Sequence, residues 1–144
     1  MEPKRWAILI GINEYHASLG SLNYCVNDCR RIEEALTGGT DPFLPENVLV
    51  MTDDDADEGK QPTYTNILKT LSSELSRMKE EDTVFLFFAG HGREVEGDLR
   101  VIPKDANLKT IHTTSIPSRH ILDYLANCKA WQKVFVIDAC HSGT

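Results

Sequence analysis

Four short apolar runs, separated by stretches with helical periodicity, are the feature that most limits how this chain can fold. Each run is almost continuous in apolar residues, which is typical of strands buried on both faces of a sheet. The runs occupy residues 6–12, 47–51, 83–89 and 133–137. We therefore predict four core strands of a mostly parallel sheet, the last of them ending at Ile137.

The segments between the runs repeat their apolar residues at helical spacing. These patterns cover residues 27–36, 64–78 and 118–128. Alternating strands and helices indicate an α/β fold of three layers, α/β/α, with helices on both faces of the sheet. Residues 93–106 interrupt the alternation, and we expect them to form a hairpin flap after the third core strand. No repeat or linker divides the chain, so we predict one domain over residues 1–144.

The charge and the hydropathy exclude two classes of partner. The chain carries 22 acidic and 15 basic side chains, a net charge of −7, whereas a nucleic-acid surface needs clustered Lys and Arg. The apolar runs are too short to cross a bilayer, and the first residues lack a secretory signal pattern. We expect a cytoplasmic protein that binds neither nucleic acid nor membrane. The acidic run at residues 53–58 predicts a loop held open by repulsion.

The four cysteines fit neither a zinc site nor a disulfide framework. Cys25 and Cys29 form a pair without a matching second pair, and export is not indicated. Cys29 and Cys128 lie on apolar helix stripes, so we assign them to the core. His16, His112 and His120 are expected at the surface or in loops.

Two of the predicted strands lead into motifs that carry chemistry. The third run continues into Ala89-Gly90-His91-Gly92, and the last continues into Asp138-Ala139-Cys140-His141-Ser142-Gly143. Reactive groups of open α/β sheets gather at the carboxyl ends of the strands. If these two strands are neighbours, their ends lie side by side.

A histidine beside a cysteine suits nucleophilic catalysis. The thiolate is the nucleophile, and an imidazole can take the proton of the thiol and later protonate the leaving amine. We predict His91 as the base and Cys140 as the nucleophile. The backbone amides of Gly92 and Cys140, expected at the strand tips, would bind the oxyanion. The small residues around both would let a substrate approach the backbone closely.

These motifs, with two more near the start of the chain, resemble those of a metacaspase or prokaryotic orthocaspase. The two further blocks are Ala7-Ile8-Leu9-Ile10-Gly11-Ile12-Asn13-Glu14-Tyr15 and Leu22-Asn23-Tyr24-Cys25-Val26-Asn27-Asp28-Cys29. His91 precedes Cys140 by 49 positions, and caspases place their histidine about 50 residues before the cysteine. The resemblance covers nearly the whole chain and implies the caspase-like large subunit of a cysteine endopeptidase.

The resemblance also implies a specificity for basic residues. In metacaspases, acidic residues at the positions of Asp28 and Asp138 line the primary pocket and select Arg or Lys before the scissile bond. Two carboxylates can hold a guanidinium by charge-assisted hydrogen bonds. Cys25 and Ala89 would line the same pocket. Asp28 could instead be a carboxylate favoured by a helix N-terminus, Asp138 a turn residue and Cys25 a structural thiol.

Two departures from the family pattern lead to further expectations. Thr113-Thr114 stands where calcium-dependent relatives carry paired aspartates, and the flap lacks their acidic insertion. We therefore predict calcium-independent activity, with no metal and no other cofactor. The family also needs a small subunit to complete the sheet and the pocket, and its strands are missing before Thr144. We expect that subunit as a partner, either cleaved from the same chain or encoded separately.

The sequence also leaves two alternative functions to the peptidase. A caspase-fold scaffold or regulatory module without activity would fit the fold, but the intact pair of His91 and Cys140 counts against it. A doubly wound nucleotide-binding domain is the other alternative. The turn at residues 11–15 lacks the Gly-rich phosphate loop that such a domain requires.

Overall fold

A mixed six-stranded sheet forms the centre of the molecule. The computed structural model describes residues 2–141, with side chains described as far as Ala139. The strands are β1 (Arg5–Gly11), β2 (Val48–Thr52), β3 (Thr83–Val95), β4 (Asp98–Val101), β5 (Ile116–Pro117) and β6 (Gln132–His141). The sheet order is β2-β1-β3-β4-β5, and β6 pairs with β3. Strands β1, β2, β3 and β6 are mutually parallel, whereas β4 and β5 are antiparallel to their neighbours.

Helices cover both faces of this sheet, which confirms the predicted α/β fold. They are α1 (Cys25–Thr37), α2 (Tyr64–Leu75), the short α3 (Ile111–Thr114) and α4 (Ser118–Asn127). Alternate residues of β1 point into two separate cores. Ile8 and Ile10 pack with the apolar residues of α2 and α4, whereas Ala7 and Leu9 pack with Cys25 and Cys29 of α1.

The second helix ends earlier than its apolar pattern predicted. The hydroxyl oxygen of Thr63 accepts a hydrogen bond from Asn66 N, which starts α2 in the manner of an N-cap. The helix ends at Leu75, not at Met78. Met78 is still fully buried, because it enters the core from the turn that follows the helix. The pattern therefore predicted the burial of Met78 correctly and its helical state wrongly.

The two strands that carry the motifs are longer than predicted. Strand β3 continues through His91 to Val95, and β6 continues past Ile137 to His141. The prediction that the last strand ends at Ile137 was wrong, because backbone pairing continues through the polar and small residues after the apolar run. Ser142, Gly143 and Thr144, on which the expected chain end depends, lie outside the described residues.

The hairpin after the third core strand is a direct continuation of that strand. Strands β3 and β4 pair in antiparallel fashion and turn at Glu96 and Gly97. Both turn residues have positive φ, 52° and 84°, as in the two-residue turns that match the twist of a hairpin.

The acidic run at residues 53–58 is an ordered turn and not a loop opened by repulsion. Asp53 is buried and accepts hydrogen bonds from the backbone, and the carboxylate of Asp57 accepts one from Gly59 N. Asp54 accepts hydrogen bonds from the Thr52 hydroxyl and from Arg30, and these two partners lower its pKa. Repulsion does not open the run because these carboxylates have nearby donors.

The helices of the described residues are those of a protein whose apolar segments are short. None of them combines the length and the apolar composition needed to cross a bilayer.

Candidate active site

His91 and Cys140 occupy opposing positions on two neighbouring strands. Strands β3 and β6 run parallel, and their register pairs Ala89 with Asp138 and His91 with Cys140. This confirms the prediction that the two motifs lie side by side. The side chains of Cys140 and His141 are outside the described part of the structure, so the relationship rests on the backbone register.

The imidazole of His91 is buried and held by a backbone carbonyl. Its side chain is 5% exposed, and Nε2 lies 2.7 Å from the carbonyl oxygen of Gly20. A carbonyl can only accept, so Nε2 must carry the proton. In the neutral ring, Nδ1 is then the basic nitrogen. The contact with Gly20 therefore selects the tautomer that leaves Nδ1 able to take a proton.

Tyr15 contacts His91 from the same loop as Gly20. Its hydroxyl oxygen accepts a hydrogen bond from His91 N at 2.9 Å and donates one to Ile102 O at 2.9 Å. The two rings lie 4.5 Å apart between centroids, at an interplanar angle of 53°. Tyr15 thus holds both the backbone and the ring of His91.

The loop that supplies these contacts, residues 12–24, is fixed at its base. The side-chain oxygen of Asn13 accepts hydrogen bonds from the first two backbone nitrogens of α1, those of Cys25 and Val26. Asn13 O also accepts a hydrogen bond from Leu22 N at 2.7 Å. Asp53 in turn accepts from the backbone nitrogens of Asn13 and Glu14.

Four of these residues have roles that the sequence did not indicate: Asn13, Tyr15, Gly20 and Asp53. Two weak signals were available. An Asn ahead of a helical pattern is a candidate cap, and Gly20 adopts a φ of 79°, a conformation that a glycine in a loop can signal. Neither signal indicates a partner for His91, because the contact joins residues that are 71 positions apart.

The glycines beside His91 are required by packing within the protein, and the expected close approach of a substrate to their backbone stays a prediction. A Cβ on Gly90 would lie 2.5 Å from the Tyr15 hydroxyl oxygen, and one on Gly92 would lie 2.6 Å from the Cβ of Ala139. Both distances are shorter than real contacts allow. The missing side chains therefore make room for neighbouring protein atoms.

Gly92 lies within a paired strand and not at a strand tip. Gly92 is opposite Val101 of β4 and opposite His141 of β6. The expected position was wrong for Gly92, because β3 continues beyond its motif to Val95, whereas Cys140 is the last residue but one of β6 as described. The role of these two amides as oxyanion donors stays a prediction.

The residues expected to bind substrate gather partly around α1. Cys25 and Ala89 are buried in one apolar cluster with Cys29. Asp138 is exposed and lies opposite Ala89 in the sheet. Asp28 is half-buried in the first turn of α1. The structure therefore places Asp138 beside Ala89, and it places Asp28 on the helix that begins with Cys25.

The other cysteines and histidines lie where the sequence predicted. Cys29 is fully buried, and burial is the main cause that raises the pKa of its thiol to about 12, with a smaller effect of Cys25. Cys128 is buried beside Met78. His16, His112 and His120 are exposed. Over the residues that the structure describes, no group of three or more His, Cys, Asp or Glu side chains could hold a metal ion.

The arrangement of the sheet and helices is shared with a solved structure. The crystal structure of protein GSU0716 from Geobacter sulfurreducens superimposes with a TM-score of 0.70 at 22% sequence identity. The match covers 99% of this chain and 52% of that one. The likeness supports the caspase-like α/β fold.

The sequence matches the family model described as Caspase domain over residues 4–144, and the chain belongs to that family. Metacaspase-1 of Eremothecium gossypii is 32% identical over 97% of the chain, and metacaspase-1 of Pyricularia oryzae is 32% identical over 98%. The matched regions are 32% and 37% of those two proteins. The chain thus spans about a third of the length of these relatives.

Proposed function

We propose that this chain is the large-subunit part of a cysteine endopeptidase that cleaves after Arg or Lys through a dyad of Cys140 and His91. The observation that carries the proposal is the register of β3 and β6, which places His91 opposite Cys140. The contact between His91 Nε2 and Gly20 O supports it, because it leaves Nδ1 as the basic nitrogen.

The dyad would work by proton transfer within the site. Nδ1 of His91 takes the proton of the Cys140 thiol, and the thiolate attacks the scissile carbonyl. The resulting imidazolium then gives its proton to the leaving amine, and water releases the acyl group. The amides of Gly92 and Cys140 are our candidates for the oxyanion donors. Both amides belong to residues that stand in or next to the dyad.

The specificity for basic residues rests on Asp28 and Asp138. Asp138 is exposed opposite Ala89, and Asp28 lies half-buried on α1 near Cys25. Neither carboxylate has an ion pair among the described salt bridges, so both can accept a guanidinium or ammonium group. We assign Cys25 and Ala89 to the apolar wall of this pocket.

The free side of β6 suits a small subunit. Within the described residues, β6 pairs with β3 alone. Val134 and Val136 are 44% and 39% exposed, and Trp131 at the start of the strand is 68% exposed. An unpaired strand with apolar residues is a template for pairing. We propose that small-subunit strands extend the sheet here.

A cytoplasmic location, and the lack of nucleic-acid or membrane partners, stay predictions from composition.

Peptide cleavage tests the function. The chain is assayed alone and with any sequence that follows Thr144 in its natural protein, against matched fluorogenic peptides ending in Arg, Lys or Asp. We expect cleavage after Arg and Lys and none after Asp. Cleavage after Asp would refute the acidic pocket, and no cleavage of any peptide in either form would favour the scaffold.

Charge-removing variants test the pocket separately from the chemistry. Asp28→Asn and Asp138→Asn should each lower kcat/KM for the Arg peptide about 10- to 100-fold, the range expected for one charge-assisted hydrogen bond. Asp123→Asn, an exposed carboxylate on α4, is the matched control and should leave it unchanged. If both pocket variants cleave like the control, the specificity arises elsewhere.

A further inference from the structure

The hydroxyl of Tyr15 is inserted into the hydrogen-bond ladder between β3 and β4. The last paired residues on this side of the hairpin are Gly92 and Val101, and His91 and Ile102 follow one step beyond them. Ile102 N donates directly to His91 O at 3.0 Å. The reciprocal bond is not direct, because the Tyr15 hydroxyl accepts from His91 N and donates to Ile102 O. In a regular antiparallel pair both bonds would join the two residues themselves.

The inserted hydroxyl lies directly beyond the paired part of the hairpin. From Gly92 to Val95 the strands are in continuous register. Because the hydroxyl bonds to His91 on one side and to Ile102, directly after β4, on the other, it sets how far these two backbone segments stand apart. The imidazole is attached to the backbone of His91, so the same bonds help to fix the position of the ring.

Two more contacts from the same loop complete the hold on His91. The Tyr15 ring lies against the imidazole, and the carbonyl oxygen of Gly20 accepts a hydrogen bond from Nε2. The backbone, the face and one nitrogen of the histidine are thus fixed by residues 15–20. In this tautomer Nδ1 is the basic nitrogen, which the proposed function assigns to the thiol.

Gly90 has the shape that this arrangement needs. Its missing Cβ would lie 2.5 Å from the Tyr15 hydroxyl oxygen and 3.0 Å from the Phe88 ring. The hydroxyl therefore occupies the volume that any other residue at position 90 would claim. Tyr15 and Gly90 fit each other as a pair.

We propose that Tyr15 is a positioning residue for His91, and that Gly90 is small in order to admit the Tyr15 hydroxyl. The inference rests on the proposed function, in which His91 is the base. Tyr15 does not touch the reacting atoms. It acts by aiming Nδ1 at the thiol, and small errors of aim between a base and a nucleophile are costly in rate.

The first test separates the hydroxyl from the ring. Tyr15→Phe keeps the ring and removes the hydroxyl, and we expect kcat to fall about 10- to 100-fold while KM stays within about twofold, because substrate contacts are unchanged. Tyr15→Leu, which also removes the ring, should lower kcat further. Tyr124→Phe removes a hydroxyl from a tyrosine of α4 that packs against the same core cluster but does not bond to His91, and it should leave both constants unchanged.

The second test measures whether the effect of a substitution at Gly90 depends on the Tyr15 hydroxyl. Gly90→Ala should lower kcat strongly in the presence of the Tyr15 hydroxyl. In the Tyr15→Phe background, the same Gly90→Ala change should cost clearly less, since the closest clash is gone. Strictly additive losses would show that Gly90 and Tyr15 act independently and would overturn the pairing.

A third measurement does not depend on turnover. Hydrogen exchange at the His91 amide should become faster in Tyr15→Phe, with protection in β1 unchanged. Wild-type kcat together with wild-type His91 protection in Tyr15→Phe would refute the positioning role. If the unmodified protein cleaves no peptide, the proposed function is refuted instead. The exchange result would still decide whether Tyr15 holds the backbone of His91.

Discussion

The carboxylate of Asp53 binds the backbone nitrogen of Asn13 at 2.9 Å and so ties the end of β2 to the loop that holds His91. Asp53 follows β2 directly and is only 8% exposed. Asn13 also holds the far end of the same loop. Its backbone carbonyl accepts a hydrogen bond from Leu22 N, and its side-chain oxygen accepts one from Cys25 N. A buried carboxylate outside the two sequence motifs thus supports the geometry of the site.

Removal of the Asp53 carboxylate should affect both stability and activity. Asp53→Ala leaves two backbone donors without their acceptor, and we expect a loss of about 2–3 kcal/mol in the free energy of unfolding. The rate of peptide cleavage should fall as well, because the loop carries Tyr15 and Gly20. Asp53→Asn keeps one side-chain oxygen that can accept, so its losses should be smaller. Urea unfolding and peptide kinetics measure the two effects.

Asp57→Ala is the matched control for that experiment. Asp57 belongs to the same acidic run but caps a short helical turn at the surface. Its substitution should change cleavage little. Equal loss of activity in the Asp53→Ala and Asp57→Ala variants would contradict the assigned role of Asp53.

Asp82 should make the fold sensitive to acid. Burial alone would raise the pKa of this carboxyl, but hydrogen bonds from Lys4 N, Lys79 N and Trp6 Nε1 outweigh it and lower the pKa. The unfolded value is about 3.9. The stabilisation is therefore fully present above that value and is lost as the pH falls through the lower, folded pKa.

The variant Asp82→Asn tests this by denaturation at several pH values. We expect it to lower the free energy of unfolding by about 2 kcal/mol at pH 7, because an amide cannot accept all three bonds. The difference from the unmodified protein should shrink as the pH falls from about 4 to about 2. A difference that stays constant over this range would show that the charge of Asp82 does not contribute.

Cys29 should resist alkylation in the folded protein. Burial is the main cause that raises the pKa of its thiol to about 12, and the thiolate is the reactive form. Iodoacetamide at pH 8 should leave Cys29 unmodified until urea unfolds the chain, as followed by mass spectrometry of peptides. Native labelling as fast as in the unfolded chain would contradict the burial of this residue.

Calcium should not change the rate of cleavage. The hydroxyl of Thr114 already bonds to the backbone of Asn107 and Thr110, and the carboxylate of Asp105 accepts from Tyr64 N. These groups already serve the protein's own structure. Peptide cleavage in calcium chloride and in a chelator should agree within about twofold, and a many-fold activation by calcium would contradict the prediction.

Sequence periodicity predicted the fold well because buried apolar residues recur at regular spacing in strands and helices. The continuous apolar runs gave all four parallel strands, and the helical stripes gave α1, α2 and α4. The ends of β3 and β6 were misplaced, since pairing of His91 with Cys140 depends on the neighbouring backbone and not on apolar side chains. Met78 was misplaced for the converse reason, as a buried residue outside a helix.

The site was predictable only where its residues form local motifs. His91 and Cys140 follow strands directly, so their neighbourhood could be inferred from the topology. Tyr15 and Gly20 could not be assigned, because each meets His91 across more than 70 positions of sequence. Gly90 was visible as a glycine, but the reason for it, the Tyr15 hydroxyl, becomes apparent only in three dimensions.

Covalent labelling tests the central claim most directly. A peptide with Arg at its reactive end, carrying a halomethyl ketone, is incubated with the protein and the modified residue is identified by mass spectrometry. We predict a single adduct on Cys140, which His91→Gln slows by at least about 100-fold and His120→Gln leaves unchanged. An adduct on Cys25 in place of Cys140, or labelling of Cys140 at the same rate in His91→Gln, would contradict the proposed dyad.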